Sequence, residues 1–520
     1  MYLTSKFPLP IYSSPAFIRK INTVVDVCHV GAQIVCAAVT INWLIKHDVY
    51  PKEDTLKKTP TVQLCMEQYN GFFQVCRIVG RDKDSVKTFN HHNNNHIIVI
   101  YRNDFYYVPI KMSEEGIDKK SLYYCLKAIK NNIKTSKSLS VGILTTLERR
   151  KWWKIKNILM KNSTNKHSIS LIESAFLILC LDEPIKTNLE NTNEDKNTLL
   201  QLQQSLHGGG SNQNSGNRWY DKTVQIILSE SITGYCFEHS TLDGKVSNAI
   251  IQSLFNTALK TVKINCSNCN QNKIQPVKLK WVLKNNILQS INNASVKFDK
   301  LVNDLDMQMY THEKYGSEFI KSLKCSPDAY VQLLLQLAYF KLNNKLCSTY
   351  ESCSTRKFKR GRLDCIRATT TEVFEWVKEM IKVEVDNSVK LKLWKNAVNA
   401  QVKESRDVAM GHGIDIHLLG LREAAKEVLD IVPELFTDKS YSIANNFILS
   451  TSQIGDLENA YCVFGPVIDN GYGVYYSIYP NCILIIVTSF YSCQTTSTQD
   501  FLAKLKESFD DVKKMIENVS

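Results

Sequence analysis

The sequence predicts an α/β protein, and three observations carry that reading. Short alternating apolar runs are interleaved with amphipathic segments along the whole chain. Three pairs of runs have hairpin form: His96–Tyr101 with Phe105–Ile110, Thr223–Leu228 with Thr233–Glu238, and Val474–Ile478 with Cys482–Ser489. A long helix is signalled at Ser326-Pro327-Asp328, where an N-cap serine, a proline at the first helical position and a first-turn acid coincide.

The first pair turns at Arg102-Asn103-Asp104 and the third at Tyr479-Pro480-Asn481. The helix continues as AYVQLLLQLAYFKL, apolar nearly all round, so it is expected to be central and buried. Asn188–Gln204 is the most polar stretch and reads as a surface loop or short helix. His91–His96 (HHNNNH) reads as a loop tip rather than a metal site. Around Lys278–Gln289 the character changes from strand-rich to helix-rich, which predicts two domains, 1–283 and 284–520. No internal repeat is visible in the residues.

At about 150 residues per domain, 520 residues allow two to four domains with cores of their own. Apolar residues at 44% and charged residues at 22% exclude general disorder. Scarce glycine and proline without a G-x-y period exclude a fibrous chain. The net charge of +13 would suit nucleic acid, an anionic membrane face or a phosphate-rich small ligand. No uninterrupted apolar run approaches the roughly 18–20 residues that span a bilayer, so no membrane span is expected. The longest, Cys482–Val487, reads as one buried strand. MYLTSKFPLP lacks the apolar stretch and cleavage site of a signal peptide, and the last residues match no lipidation or retention signal. The sixteen cysteines then fit small buried groups in a reducing cytosol, and a cytoplasmic location is expected.

His207-Gly-Gly-Gly210 has the form of an esterase oxyanion loop, but the chain has no Gly-x-Ser-x-Gly elbow to go with it. The same glycines lack the Gly-Lys-Ser/Thr of a phosphate-binding loop. Cys266-x-x-Cys269 has no second pair at zinc-ribbon spacing. Arg356–Arg362 (RKFKRGR) is the densest basic cluster, and Lys321 and Lys324 precede the buried helix, where cations suit phosphate groups. His239 follows a predicted buried strand in CFEHSTLDG, with Asp243 four residues on. A carboxylate at that spacing can fix an imidazole tautomer for general-base work, although spacing alone favours a satisfied structural histidine.

Together these segments resemble the carnitine/choline acyltransferase family, nearly end to end. The resemblance is carried by YSSP (Tyr12–Pro15), LCMEQY (Leu64–Tyr69), VGILTT (Val141–Thr146), HGGGSNQNSGNRWYDK (His207–Lys222) and FEHSTLDG (Phe237–Gly244). It continues through KCSPDAYVQLLLQLAY (Lys324–Tyr339), TYESCSTRKFKRGRLDCIRA (Thr349–Ala368), HLLGLRE (His417–Glu423), LSTSQ (Leu449–Gln453), FGPV with NGYG (Phe464–Gly473) and SFYSCQTTS (Ser489–Ser497).

The resemblance implies a two-domain CoA-dependent acyltransferase fold of the chloramphenicol acetyltransferase type, with mixed sheets flanked by helices and a tunnel between the domains. It implies transfer of an acetyl group from acetyl-CoA to an alcohol, with acetyl-CoA as co-substrate, no permanently bound cofactor and no metal. Within the family the residues are similar to the branch that takes choline. Carnitine enzymes place an arginine at the position of Ile416 and threonines at those of Leu363 and Cys365 to hold the substrate carboxylate. A carboxylate buried without those partners would cost several kcal/mol. Choline carries none, and its trimethylammonium suits aromatic walls such as Tyr350 and Phe464. Ser352 joins these as a substrate-side residue.

By the same resemblance His239 is the general base, Asp243 orients it and Ser452 meets the tetrahedral oxyanion. Lys321, Lys324, Ser326, Asp328 and Gln453 face CoA, with Ser317 where relatives often place a further lysine. Cys462 takes the position of a methionine that limits acyl length in carnitine acetyl transfer. The base belongs to the first predicted domain, the CoA and oxyanion residues to the second. A monomer without nucleic-acid partners is expected. Family members carry a substantial stretch before the segment matching Met1, so the chain is expected to lack the family's beginning.

Overall fold

A computed structural model describes residues 2–19, 26–54, 62–89, 95–110, 112–113, 116–132, 138–185, 194–260, 274–429, 431–454 and 460–519. Residues 91–94 of the histidine tract, 188–193 of the polar stretch and the Cys266–Cys269 pair lie outside these residues. The chain divides into two compact units. One comprises Met1–Glu53, Met66–Asn303 and Glu458–Phe464; the other comprises Asp54–Cys65, Asp304–Leu457 and Gly465–Ser520. The boundary expected at 284 marks the start of helix Asn285–Asp304, whereas the chain leaves the first unit at that helix's end. Composition shifts where the helix begins, but its apolar side packs inward: Phe298 meets Tyr220 edge-on at 6.2 Å. Asp299 also accepts hydrogen bonds from the Ser211 amide and hydroxyl, each at 2.6 Å.

The first unit holds an eight-stranded mixed sheet. Its order is Val277–Lys278, Asp104–Ile110, Asn95–Tyr101, Ile178–Leu181, Val224–Leu228, Thr233–Phe237, Ala16–Arg19 and Ala460–Val463. The second unit holds six strands in the order Leu305–His312, Ile483–Phe490, Tyr472–Ile478, Leu449–Gln453, Thr349–Ser354 and Leu363–Ile366. All three expected hairpins form. The first closes through Arg102 and Asn103, both left-handed (φ 51° and 67°), as a two-residue turn between twisted strands demands.

Both sheets use one connection pattern. A central strand, Ile178–Leu181 in the first and Leu449–Gln453 in the second, runs parallel to the leading strand of a hairpin on each side. The resemblance between the sheets is thus one of topology and not of residues. A pleated pattern constrains which positions are apolar, not which apolar residue fills them.

The predicted buried helix runs Pro327–Asn343, with the Ser326 hydroxyl accepting from the Ala329 amide and Asn344 ending it in the left-handed region. Every residue from Ala329 to Phe340 is buried, against the second sheet and helices Thr371–Met380, Asn387–Asp407 and Thr498–Glu517. The polar stretch is largely a helix, Glu194–His207, anchored by buried Leu202 and Leu206. Gly208 ends it at φ 76°, where an added Cβ would lie 2.6 Å from the Ser215 nitrogen. His207 is fully buried, and burial plus the nearby Arg218 guanidinium pull its pKa down to about 3. Its neutral Nδ1 accepts from the Gly209 amide. The HGGG segment is thus a helix terminus.

Helix Val27–Lys46 has 20 residues, and an 18-residue window of it has a mean hydropathy of 1.6, enough by length and composition to cross a bilayer, yet 56% of that window is buried. His29, Gln33 and Asn42 interrupt its apolar run, which hid it in the sequence. It packs against helices Lys119–Asn131 and Gly244–Lys260, and Gly31 admits Leu126 and Leu179 to its backbone.

Buried polar pairs lock these elements. Arg218 makes two parallel 2.8 Å hydrogen bonds to Asp182 at the end of the central strand and a third to the Gln204 carbonyl. Both partners are shielded from solvent, so Arg218→Met should strand the Asp182 carboxylate. Urea unfolding should register a loss of about 3–5 kcal/mol; a change within ±0.5 kcal/mol would show that the pair does not hold the strand end.

Candidate active site

Strand Thr233–Phe237 is buried throughout and delivers Glu238 and His239 at its end. Gly234 lets the strand lie close to its neighbours, since a Cβ there would stand 2.6 Å from the Phe17 carbonyl oxygen. Glu238 is 1% exposed and faces inward. Arg77 donates to it at 2.8 Å, and Glu238 in turn accepts from the Ser240 amide and hydroxyl. The alternation of the strand then turns His239 the other way, leaving its side chain 15% exposed.

Two rings hold the imidazole. Tyr2 stacks on it at 5.0 Å with the planes 14° apart, and Phe237 lies 5.2 Å away at 41°. Asp243 Oδ1 is 3.9 Å from Nδ1, an ion-pair separation rather than a hydrogen bond. Asp243 is itself placed by its amide, which donates to Gln68 Oε1 at 2.9 Å, just before helix Gly244–Lys260. Cys462 and Phe464 belong to the same unit. Strand Ala460–Val463 pairs with Ala16–Arg19, the neighbour of the His239 strand, and sets Cys462 opposite Phe17.

Below the turn lies a chain of buried charges. Arg77 also donates to Asp84 at 2.8 Å and to the Tyr2 carbonyl oxygen at 2.8 Å. Arg149 bridges Asp84 at 2.8 Å and Asp221 at 2.7 Å, and the Trp152 indole donates to Asp221. Sequence reasoning missed Tyr2, Gln68, Arg77 and Glu238 as support for His239. The segments LCMEQY and FEHSTLDG contain Gln68 and Glu238 without marking their role; nothing local marked Tyr2 or Arg77.

In the second unit three adjacent strands gather most of the remaining candidates. Ser352 lies opposite Cys365, and Ser354 opposite Leu363. The Ser352 and Ser452 hydroxyls are 3.5 Å apart across Thr349–Ser354 and Leu449–Gln453. Tyr350 packs edge-on against Phe447, and Gln453 is exposed at its strand end. Ile416, at the start of helix Asp415–Val428 and 53% exposed, is tied to the outer of these strands by its amide, which donates to Asp364 between Leu363 and Cys365.

Lys321 and Lys324 are exposed ahead of the buried helix, with Lys324 in the left-handed region. Ser326 is engaged as the cap, and Asp328 accepts from Tyr476 at 2.6 Å. Beside Asp328 lies Glu351, which accepts from Gln401 at 2.7 Å. Burial, then the Asp328 carboxyl, push the Glu351 pKa well up, so this pair holds a proton. Arg356, first of the basic run, is buried and donates to the Cys65 carbonyl oxygen. Among the described residues no three His, Cys, Asp or Glu side chains converge in a metal-binding group.

The model of the Choline/Carnitine O-acyltransferase family matches residues 1–507, and the chain belongs to that family. Choline O-acetyltransferase of Drosophila melanogaster is 34% identical over 571 residues, covering 100% of this chain and 78% of the relative. Carnitine O-acetyltransferase of Columba livia is 32% identical over 524 residues, covering 99% and 82%. Among solved structures, trichothecene 15-O-acetyltransferase from Fusarium sporotrichioides aligns with 98% of this chain and 92% of that chain, at 9% identity and a TM-score of 0.43.

The raised Glu351 pKa fixes the sign of a pH effect. Above the ordinary value of 4.5 the folded chain retains a proton that the unfolded chain loses, so stability falls as pH rises toward the folded value. The slope is at most about 1.4 kcal/mol per pH unit. Urea titrations at about pH 5 and pH 7.5 should show this loss in the native protein and a smaller one in Glu351→Gln. Equal slopes would remove the proton from Glu351.

Proposed function

We propose that the chain transfers the acetyl group of acetyl-CoA to choline, giving acetylcholine and CoA. The observation that supports this best is the setting of His239: two aromatic contacts, a carboxylate 3.9 Å from Nδ1 and a turn fastened by a buried ion pair. A general base needs this kind of positioning, because proton transfer is efficient only from a defined orientation.

In the proposed reaction His239 takes the choline hydroxyl proton as the oxygen bonds to the thioester carbonyl carbon. The carbonyl electron pair moves onto oxygen, and the Ser452 hydroxyl donates to that oxyanion. Collapse restores the carbonyl and breaks the carbon–sulfur bond. The imidazolium then returns its proton to the leaving thiolate, and no acyl-enzyme forms. Asp243 supports the imidazolium while it exists. Lys321 and Lys324, ahead of a helix N-terminus, suit the CoA phosphates, and Gln453 is a further CoA contact.

Relatives named for choline and for carnitine both span the chain, so the alcohol is argued from side chains. Leu363, Cys365 and Ile416 offer a carboxylate no cation and no hydroxyl. Tyr350 and Phe464 offer aromatic faces, which attract a trimethylammonium without needing a counter-charge. Carnitine is therefore the poorer acceptor.

Free-thiol release from acetyl-CoA should be at least about 10²-fold faster in kcat/KM with choline than with carnitine, as expected for a carboxylate left unpaired. A preference for carnitine would overturn the acceptor. CoA binding without thiol release with either alcohol would overturn the activity and leave a binding module. His239→Ala should lower kcat by roughly 10²–10⁴ while keeping CoA affinity.

A further inference from the structure

A second cavity lies in the first unit, of about 370 Å³ and sharing no lining residue with the His239 site. That volume is within the range of small-molecule pockets. Phe7, Leu147, Phe298 and Leu301 form an apolar wall. Leu147 and Phe298 are buried, which fixes that wall, whereas Phe7 is 51% exposed at the mouth. Phe7 stacks on Tyr12 at 5.3 Å, which holds the ring at that position.

The rim is cationic. Lys6, Lys151 and Lys297 line it against one acid, Glu148. Lys6 is engaged with the Asp82 carbonyl oxygen, and Lys151 is 3.1 Å from Glu148. Lys297 lies against Lys151, and that neighbouring ammonium pushes its pKa down. Glu148 offsets Lys151, so the three lysines and one acid leave the rim with a net positive charge that an anion would complement. Helix Arg149–Met160 also begins here. Its N-cap, Glu148, makes no side-chain capping bond, so the positive end of the helix adds to the field.

We infer that this cavity binds an amphipathic carboxylate, a fatty-acid anion of medium length. The chain would lie along Leu147, Phe298 and Leu301, with the carboxylate at Lys151 and Lys297. An apolar hollow with a net cationic rim selects for both halves of such a molecule. A neutral chain leaves the rim charge uncompensated, and a small inorganic anion leaves the wall wet. Glu148 at the same mouth favours a single negative charge over a dianion.

The site is independent of acetyl transfer, and its test is equilibrium binding to the full chain. Decanoate, titrated calorimetrically, should bind one saturable site at least about tenfold more tightly than decanol, a difference of about 1.4 kcal/mol. Decyltrimethylammonium should not compete. Lys151→Ala with Lys297→Ala should bring decanoate down to the affinity of decanol; both side chains are exposed, so folding should be unaffected. Leu301→Trp, which fills the hollow, should abolish the binding of both. Equal affinities for decanoate and decanol, or decanoate binding unchanged in either variant, would overturn the site.

Discussion

The geometry around His239 depends on Arg77. This buried guanidinium holds Asp84, Glu238 and the Tyr2 carbonyl oxygen together, and Asp84 passes the constraint to Arg149 and Asp221. An isolated buried ion pair is a poor source of stability, because desolvation offsets most of its attraction. Its value here is geometric. Strand Val75–Ile78, the amino-terminal segment, helix Arg149–Met160 and the turn after Thr233–Phe237 are far apart in sequence, yet they share hydrogen bonds in one dry network. The turn bearing the imidazole can thus be displaced only by breaking charge-assisted bonds that have no water to replace them.

The same network bears on the net charge. Arg77, Arg149 and Arg218 are each matched by acids inside the first unit, and Lys156 by Glu173. Lys222 donates to the Glu173 carbonyl oxygen, and burial lowers its pKa to about 8. These interior cations are balanced or partly neutralised, so they do not supply the surplus of +13. The excess falls to groups such as Lys151, Lys297, Lys321 and Lys324, which are exposed and can meet anions. Charge counting alone could not separate the two populations.

Much of the fold was legible because its signals are local. Hairpins announce themselves by paired apolar runs around turn residues, and Ser326-Pro327-Asp328 states where a helix must start. His239 was legible for the same reason, as a titratable residue at the end of an apolar run with an acid one helical turn on. What was illegible depends on partners distant in sequence. Arg77 reads as one arginine among many until Glu238 and Asp84 surround it. Glu194–His207 reads as polar because its buried face is only a few residues wide. Helix Val27–Lys46 was hidden by scattered polar residues that its neighbours accommodate. The repeated sheet pattern left no trace because topology constrains periodicity more tightly than identity. Of the candidate residues, Ser352, Cys365 and Ser452 were named separately, but only strand register puts them side by side.

Strand Ala460–Val463 has a consequence for how the molecule comes into being. It closes the edge of a sheet whose other strands are all encoded before residue 280, and it does so against Ala16–Arg19, some 440 positions upstream. During synthesis the first unit must wait with that edge open while the intervening chain emerges from the ribosome. An unpaired strand edge is a template for pairing with other chains. The sheet that carries the imidazole is therefore completed only after Val463 has emerged.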